Sequence, residues 1–240
     1  MKVITLKNQK IDELTEGFYI LDNCYVRTVS NDVIIAELKN HSIIQTLKDN
    51  AHIKKMSGNS LIGLMKGNSS LGKVQISIII KMEDDCFIEV LTGKSHVEKM
   101  EGRAYIKEVS KGAFVSDMFD RSKIDKLCSG SNVLTMNMGS IINDMSGNSF
   151  IISLSDYSFV KKMSDRSHIS IMKNNSVVNF MVDESNVSVM ENNSNIKETR
   201  GDEIRIVKIG KDCRVNKDPL VASERVIMDS QQFLKGSKNL

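Results

Sequence analysis

The segment Gly67 to Lys73, GNSSLGK, fits G-x-x-x-x-G-K, the loop whose backbone N–H groups and lysine cradle phosphates. The next residue is Val74, where Mg²⁺ coordination demands Ser or Thr, and no strand-then-helix pattern surrounds it. Both glycines are therefore read as turn and bend positions. Asp120, Asp156, Asp165 and Asp183 recur at one place in a repeat and invite comparison with calcium-binding nonapeptides. The paired glycines of that motif are missing and Arg121 and Arg166 follow two of the aspartates, so these are read as turn-forming. His41, His52, His96 and His168 could act as bases or metal ligands, but His96 and His168 lie 72 residues apart along a repeat and are expected as solvated surface side chains. Cys24, Cys86, Cys128 and Cys213 show neither CxxC nor zinc-like spacing, which predicts free thiols in a reducing compartment. No catalytic residue, metal site or cofactor is expected.

The elements that would have to position any such group are dictated by a lattice. Leu91, Met100, Val109, Met118, Leu127, Met136, Met145, Leu154, Met163, Met172, Met181 and Met190 lie nine residues apart without a break. Four places after each comes a small residue, as in Ser122, Ser131 and Ser140, and two further on a β-branched one, as in Ile124, Val133 and Ile142. A fixed period of this kind is the signature of a solenoid. Backwards the lattice continues through Met82, Val74, Met65, Met56, Leu47, Leu38 and Val29, with one residue missing between Val74 and Met82, which predicts a tightened corner. The small and β-branched residues point the same way in a strand, and the Gly, Asn, Asp and Ser between lattice points supply corners that tolerate positive φ.

Charge fixes the coil. Glu108, Lys126, Asp144 and Lys162 alternate in sign at a spacing of eighteen, as do Glu89, Lys107 and Asp125. Opposite charges on neighbouring strands stabilise a stack and like charges oppose it, so two nonapeptides make one coil. The fold expected is all-β, a single-stranded β-solenoid (β-helix) of about eighteen residues per coil, nine or ten coils and about 45 Å long. One side of the coil is charged and the other nearly neutral. Expected boundaries are an N-terminal cap over residues 1–28, the repeat over 29–199, a C-terminal β cap over 200–229 around the sole proline, and a tail over 230–240.

Bulk properties agree with a thin aliphatic core: 40% hydrophobic residues, 5% aromatics and no Trp. The net charge of +3 comes from 33 basic and 30 acidic residues interspersed along the chain, giving no strong field for nucleic acid. No segment has the length of a membrane span, and MKVITLKNQKIDELTEG lacks the apolar run of a signal peptide. The cytoplasm, or a phage particle, is the expected location.

What the lattice does not require is the outward row Phe87, Tyr105, Lys123, Ile141, Phe159 and Val177, one residue per coil on the charged side. An apolar row of that length marks a contact surface, so these are the candidate interaction residues, for a homo-oligomer or a protein partner.

At MSGNSLIGL, MKGNSSLGK and MSGNSFIIS the chain resembles the M-x-G-N-S-x-(I/V)-x-x nonapeptide-repeat proteins of gut Bacteroidota and their phages and mobile elements. The likeness covers residues 29 to 199 and implies a β-solenoid, with a phage or mobile-element assembly as context. The function expected is a non-catalytic scaffold or interaction module. The alternatives are a DNA-mimicking or nucleic-acid-associated inhibitor, as among pentapeptide-repeat solenoids, and a carbohydrate-acting β-helix enzyme.

Overall fold

The structure, a computed structural model, describes residues 2–201 and 203–217. Every regular element among them is a strand. Odd-numbered strands stack in parallel into one thirteen-stranded sheet, here sheet I, and even-numbered strands into a twelve-stranded sheet II. Sheet I comprises β1 (Ile4–Lys7), β3 (Phe18–Asp22), β5 (Ile34–Lys39), β7 (His52–Met56), β9 (Ser70–Gln75), β11 (Phe87–Thr92), β13 (Tyr105–Ser110), β15 (Lys123–Leu127), β17 (Ile141–Met145), β19 (Phe159–Met163), β21 (Val177–Val182), β23 (Asn195–Arg200) and β25 (Arg214–Lys217). Sheet II comprises β2 (Lys10–Leu14), β4 (Tyr25–Val29), β6 (Ile43–Leu47), β8 (Leu61–Met65), β10 (Ile78–Met82), β12 (His96–Met100), β14 (Phe114–Met118), β16 (Asn132–Met136), β18 (Phe150–Leu154), β20 (His168–Met172), β22 (Asn186–Met190) and β24 (Arg205–Ile209). At a strand spacing of about 4.8 Å the rod is about 58 Å long.

The eighteen-residue coil is seen directly in the register. Lys123 pairs with Ile141, Ile141 with Phe159, and Phe159 with Val177. The second and fifth residues of a strand face inward; Ile124, Leu127, Ile142 and Met145 are all fully buried. First, third and fourth residues face outward. Each buried Ile, Leu or Met contributes about 1.5–3 kcal/mol, spread evenly along the rod.

Corners close by tight turns. Asn174 and Asn175 both have positive φ, at 53° and 62°, and the Ser176 N–H donates to the Lys173 carbonyl at 3.2 Å. Positive φ at both central residues is the mark of a type I′ turn. Stacked corners are tied by side-chain amides: Asn192 donates to Asn174 at 3.1 Å, and Asn174 to Asp156 at 3.0 Å. The residue four places after most lattice positions, usually serine, is buried where the chain turns inward, and Ser131 donates its hydroxyl to the Cys128 carbonyl at 2.6 Å.

The missing residue lies at the corner between β9 and β10. Leu61 pairs with Ile78 seventeen residues away, whereas Ile78 pairs with His96 at eighteen. Closing that corner forces Ile76 to φ 51°, a region where a β-branched side chain clashes with its own backbone.

Both expected boundaries of the repeat move outward. Residues 1–28 are not a separate cap, because β1 pairs with β3 and β2 with β4 in the same parallel ladder. Ile4 pairs with Tyr19 and Lys10 with Tyr25, so the first coil has fifteen residues, and the corner at Gly17 (φ 114°) is correspondingly short. A nine-residue period cannot register across it. At the other end the ladder continues past Thr199 with one inserted residue: Asn186 pairs with Arg205, nineteen apart. Ile204 and Ile206 then take the inward places that the unshifted frame assigns to Glu203 and Arg205. The remainder of the expected C-terminal cap, 218–229, and the tail 230–240 lie outside the described residues.

Candidate functional site

The row chosen from sequence is a true column of sheet I. Phe87, Tyr105, Lys123, Ile141, Phe159 and Val177 follow one another as direct register partners, each half-buried. Phe87 and Tyr105 have ring centroids 5.2 Å apart. The middle of the column is tied into a polar network. The Tyr105 hydroxyl donates to Asp125, the Lys123 ammonium lies 2.8 Å from the same carboxylate and 5.1 Å from the Tyr105 ring centroid, and Asn143 donates to Asp125 at 2.6 Å. Burial, then the bond to Asp125, pushes the Tyr105 phenol up to about 12. Burial alone raises the Asp125 carboxyl, but the bonds from Lys123, Tyr105 and Asn143 outweigh it and hold the group below its ordinary range.

Around this column sheet I is charged. Glu108 faces Lys126, Lys126 faces Asp144, and Asp144 faces Lys162 in direct register, while Lys107 and Glu89 meet at 3.3 Å.

Sheet II presents a different surface. From β6 through β22, Lys81, Glu98, Lys99 and Asp117 are the only Lys, Arg, Asp or Glu residues at outward strand positions. The first-position column runs Tyr25, Ile43, Leu61, Ile78, His96 and Phe114 in unbroken register, as long as the row on sheet I. Ile78 and Ile80 are each 40% exposed, Ile152 41% and Val207 54%, and Ile76 at the tightened corner is 45% exposed. In an unbroken nine-residue frame this column is visible only from His96 onward, where Asn132 and Asn186 interrupt it, so its apolar half is missed from the sequence. The signal that could have found it is the run Ile78, Ile79, Ile80, which puts isoleucine on both faces of one strand.

A shallow depression of about 390 Å³ lies mid-sheet, lined by Ile80, Lys81, His96, Glu98, Lys99, Ser116 and Asp117. His96 Nε2 is 2.8 Å from Ser116 Oγ, the contact of a base with a nucleophile. The same arrangement recurs four coils on, with His168 Nε2 3.2 Å from Ser188 Oγ, so it follows from the diagonal offset of the lattice. The histidines are half-buried and partnered, not solvated as their positions suggest. His96 packs on Phe114 at 4.6 Å, His168 stacks on Phe150 at 5.1 Å, and burial lowers both pKa values. The backbone N–H groups an oxyanion would need are used by the strand ladder: Phe114 N–H donates to the Ser95 carbonyl and Asn132 N–H to that of Ala113.

The phosphate-loop match straddles a corner and β9. Gly67 is a turn residue at φ 65°, and Gly72 is where a Cβ would collide with the Lys54 carbonyl of the preceding coil. Burial pushes the Cys86 thiol up to about 12, far from a reactive thiolate. Among the described residues no group of three His, Cys, Asp or Glu converges on a metal position, and no helix is long and apolar enough to cross a membrane.

The class is therefore defined by architecture: a parallel two-sheet β-solenoid with one charged and one largely uncharged face. Comparison with known protein families, with curated proteins and with solved structures finds no match.

Proposed function

We propose that this chain is a non-catalytic β-solenoid scaffold or protein-interaction module, self-associating, that works through its outward faces. The observation that carries this reading is the contrast between the faces: sheet I bears alternating charge in register, while sheet II from β6 through β22 keeps charge off its outward positions except at β10–β14 and leaves Ile78, Ile80 and Ile152 in water. Exposed apolar area on that scale is retained where something covers it. The sheet I row from Phe87 to Val177 is a narrower second contact line, favoured by Phe180, exposed on the strand that carries Val177. A phage or mobile-element assembly is the context we attach to the repeat resemblance, with the cytoplasm or the particle as its location.

The test is the triple change Ile78→Ser, Ile80→Ser and Ile152→Ser, followed by mass in solution and partner pull-down. Melting should be unaltered, since none of the three is in the core, while association falls. Unchanged association in both assays would sink the contact reading. Salt-sensitive binding to DNA, or turnover of a polysaccharide, would replace it with one of the two alternatives.

A further inference from the structure

We propose that sheet II docks face to face on sheet II of a second copy of this chain, with the two rods antiparallel and a two-fold axis passing between β12 and β14. This rests on the contact reading above and names its partner. Sheet II has twelve strands in the order β2 to β24, so β12 and β14 are its sixth and seventh. A two-fold along the strand direction at that point lays the whole sheet on itself, with β12 over β14, β10 over β16 and β8 over β18. Each outward position then meets the same position of its counterpart strand.

The pairing that results is self-complementary. Lys99 and Asp117, fourth residues of β12 and β14 and direct neighbours in one chain, meet Asp117 and Lys99 of the second copy, so that four charges alternate in sign around the axis. At the fourth position of the terminal strands Glu13 meets Lys208. Ile80 meets Leu134 and Leu61 meets Phe150, apolar against apolar. Gly63, where a Cβ would lie 2.7 Å from the Gln45 carbonyl and no side chain stands outward, meets the exposed Ile152. The one like-charged meeting, Lys10 with Arg205, falls at the outermost strands, where solvent screens it.

The other face-to-face two-fold, parallel to the rod, lays each strand antiparallel on its own copy. It sets Lys99 against the His96 column and Asp117 against Phe114, placing charge on apolar surface, and lacks this match.

Area favours a second copy as well. Twelve strands of five residues, at about 4.8 Å spacing and 3.3 Å rise, present about 950 Å² per copy, against the roughly 800 Å² per partner of a standard stable interface. The charge quartet sets register and orientation, and the apolar columns supply affinity.

The test is a charge swap at outward positions, with folding checked by melting. Wild type is expected to sediment as a dimer. Lys99→Asp alone sets two carboxylates face to face across the axis, and Asp117→Lys alone sets two ammonium groups face to face, so each single variant should dissociate about tenfold more readily or worse. An equimolar mixture of the two variants restores both opposite-charge contacts in the heterodimer and should return to wild-type association. A mixture no tighter than either variant alone, single variants as tight as wild type, or a wild-type monomer at about 100 µM would each overturn the proposal. If these swaps are silent while the triple isoleucine change still abolishes association, the contact reading stands and this geometry does not.

Discussion

Tyr105 and Asp125 are joined across adjacent coils, the phenol of one donating to the carboxylate of the other twenty residues on. That diagonal, first position of one coil to third position of the next, also joins His96 to Ser116 and His168 to Ser188. It arises because parallel strands at eighteen-residue spacing bring outward side chains within reach along the diagonal as well as in register.

The Tyr105 contact makes its titration distinctive. Because burial and the Asp125 bond raise the phenol to about 12, one tyrosine should withhold its phenolate absorbance until strongly alkaline pH. Tyr105→Phe should delete that late component and leave the rest of the curve in place. A curve identical in variant and parent would place the hydroxyl in water.

Ile124 is fully buried between its register partners Ile106 and Ile142. Ile124→Asp puts an unpaired carboxylate into the thin core and should destabilise by about 3–5 kcal/mol, measured by denaturant midpoint. An unaltered unfolding curve would contradict inward placement.

Ile76 at φ 51° is the reverse case. Asn accepts left-handed backbone far more readily than a β-branched residue, so Ile76→Asn should raise stability by about 1 kcal/mol although it removes an apolar side chain. A loss of stability would mean that Ile76 packs more than its 45% exposure indicates.

His52, His96 and His168 all have pKa values lowered from 6.5, chiefly by burial. The folded state therefore binds these protons less readily than the unfolded chain. Their stabilising contribution is complete above pH 6.5 and is lost as pH falls through and below that value toward the folded-state pKa values. Melting temperature should fall between pH 7 and about 5, where most carboxylates remain ionised. Replacing all three histidines with Gln should flatten that slope; a slope unchanged in the triple variant would assign it to other groups.

The regular coils were readable in the sequence because each needs the same inward pair, so Met118, Ile124 and Leu127 repeat a rule that Met136, Ile142 and Met145 obey again. The ends were not, because the ladder there changes coil length while keeping its pairing. Tyr19 still stacks on Ile4 at fifteen residues, and Ile206 still reaches the core after a one-residue slip that hides it from a fixed period. The apolar half of sheet II lay across the shortened unit, where a frame of nine no longer aligns Ile78 with Leu61. The column from Phe87 to Val177 was legible as a column. That Lys123 and Asp125 bind its centre into a network, and that Ile80 and Ile152 stand exposed on the opposite face, depended on diagonal contacts and exposure, which periodicity does not encode.

The most direct test of which face makes contact is hydroxyl-radical footprinting of the purified chain at low and high concentration, reading side-chain oxidation residue by residue. Phe114, Phe150 and Ile152 on sheet II should become protected first as the chain associates, ahead of Phe87, Tyr105 and Phe159 on sheet I. Protection of the sheet I row with sheet II unchanged, or protection of neither, would contradict the assignment of sheet II as the contact face.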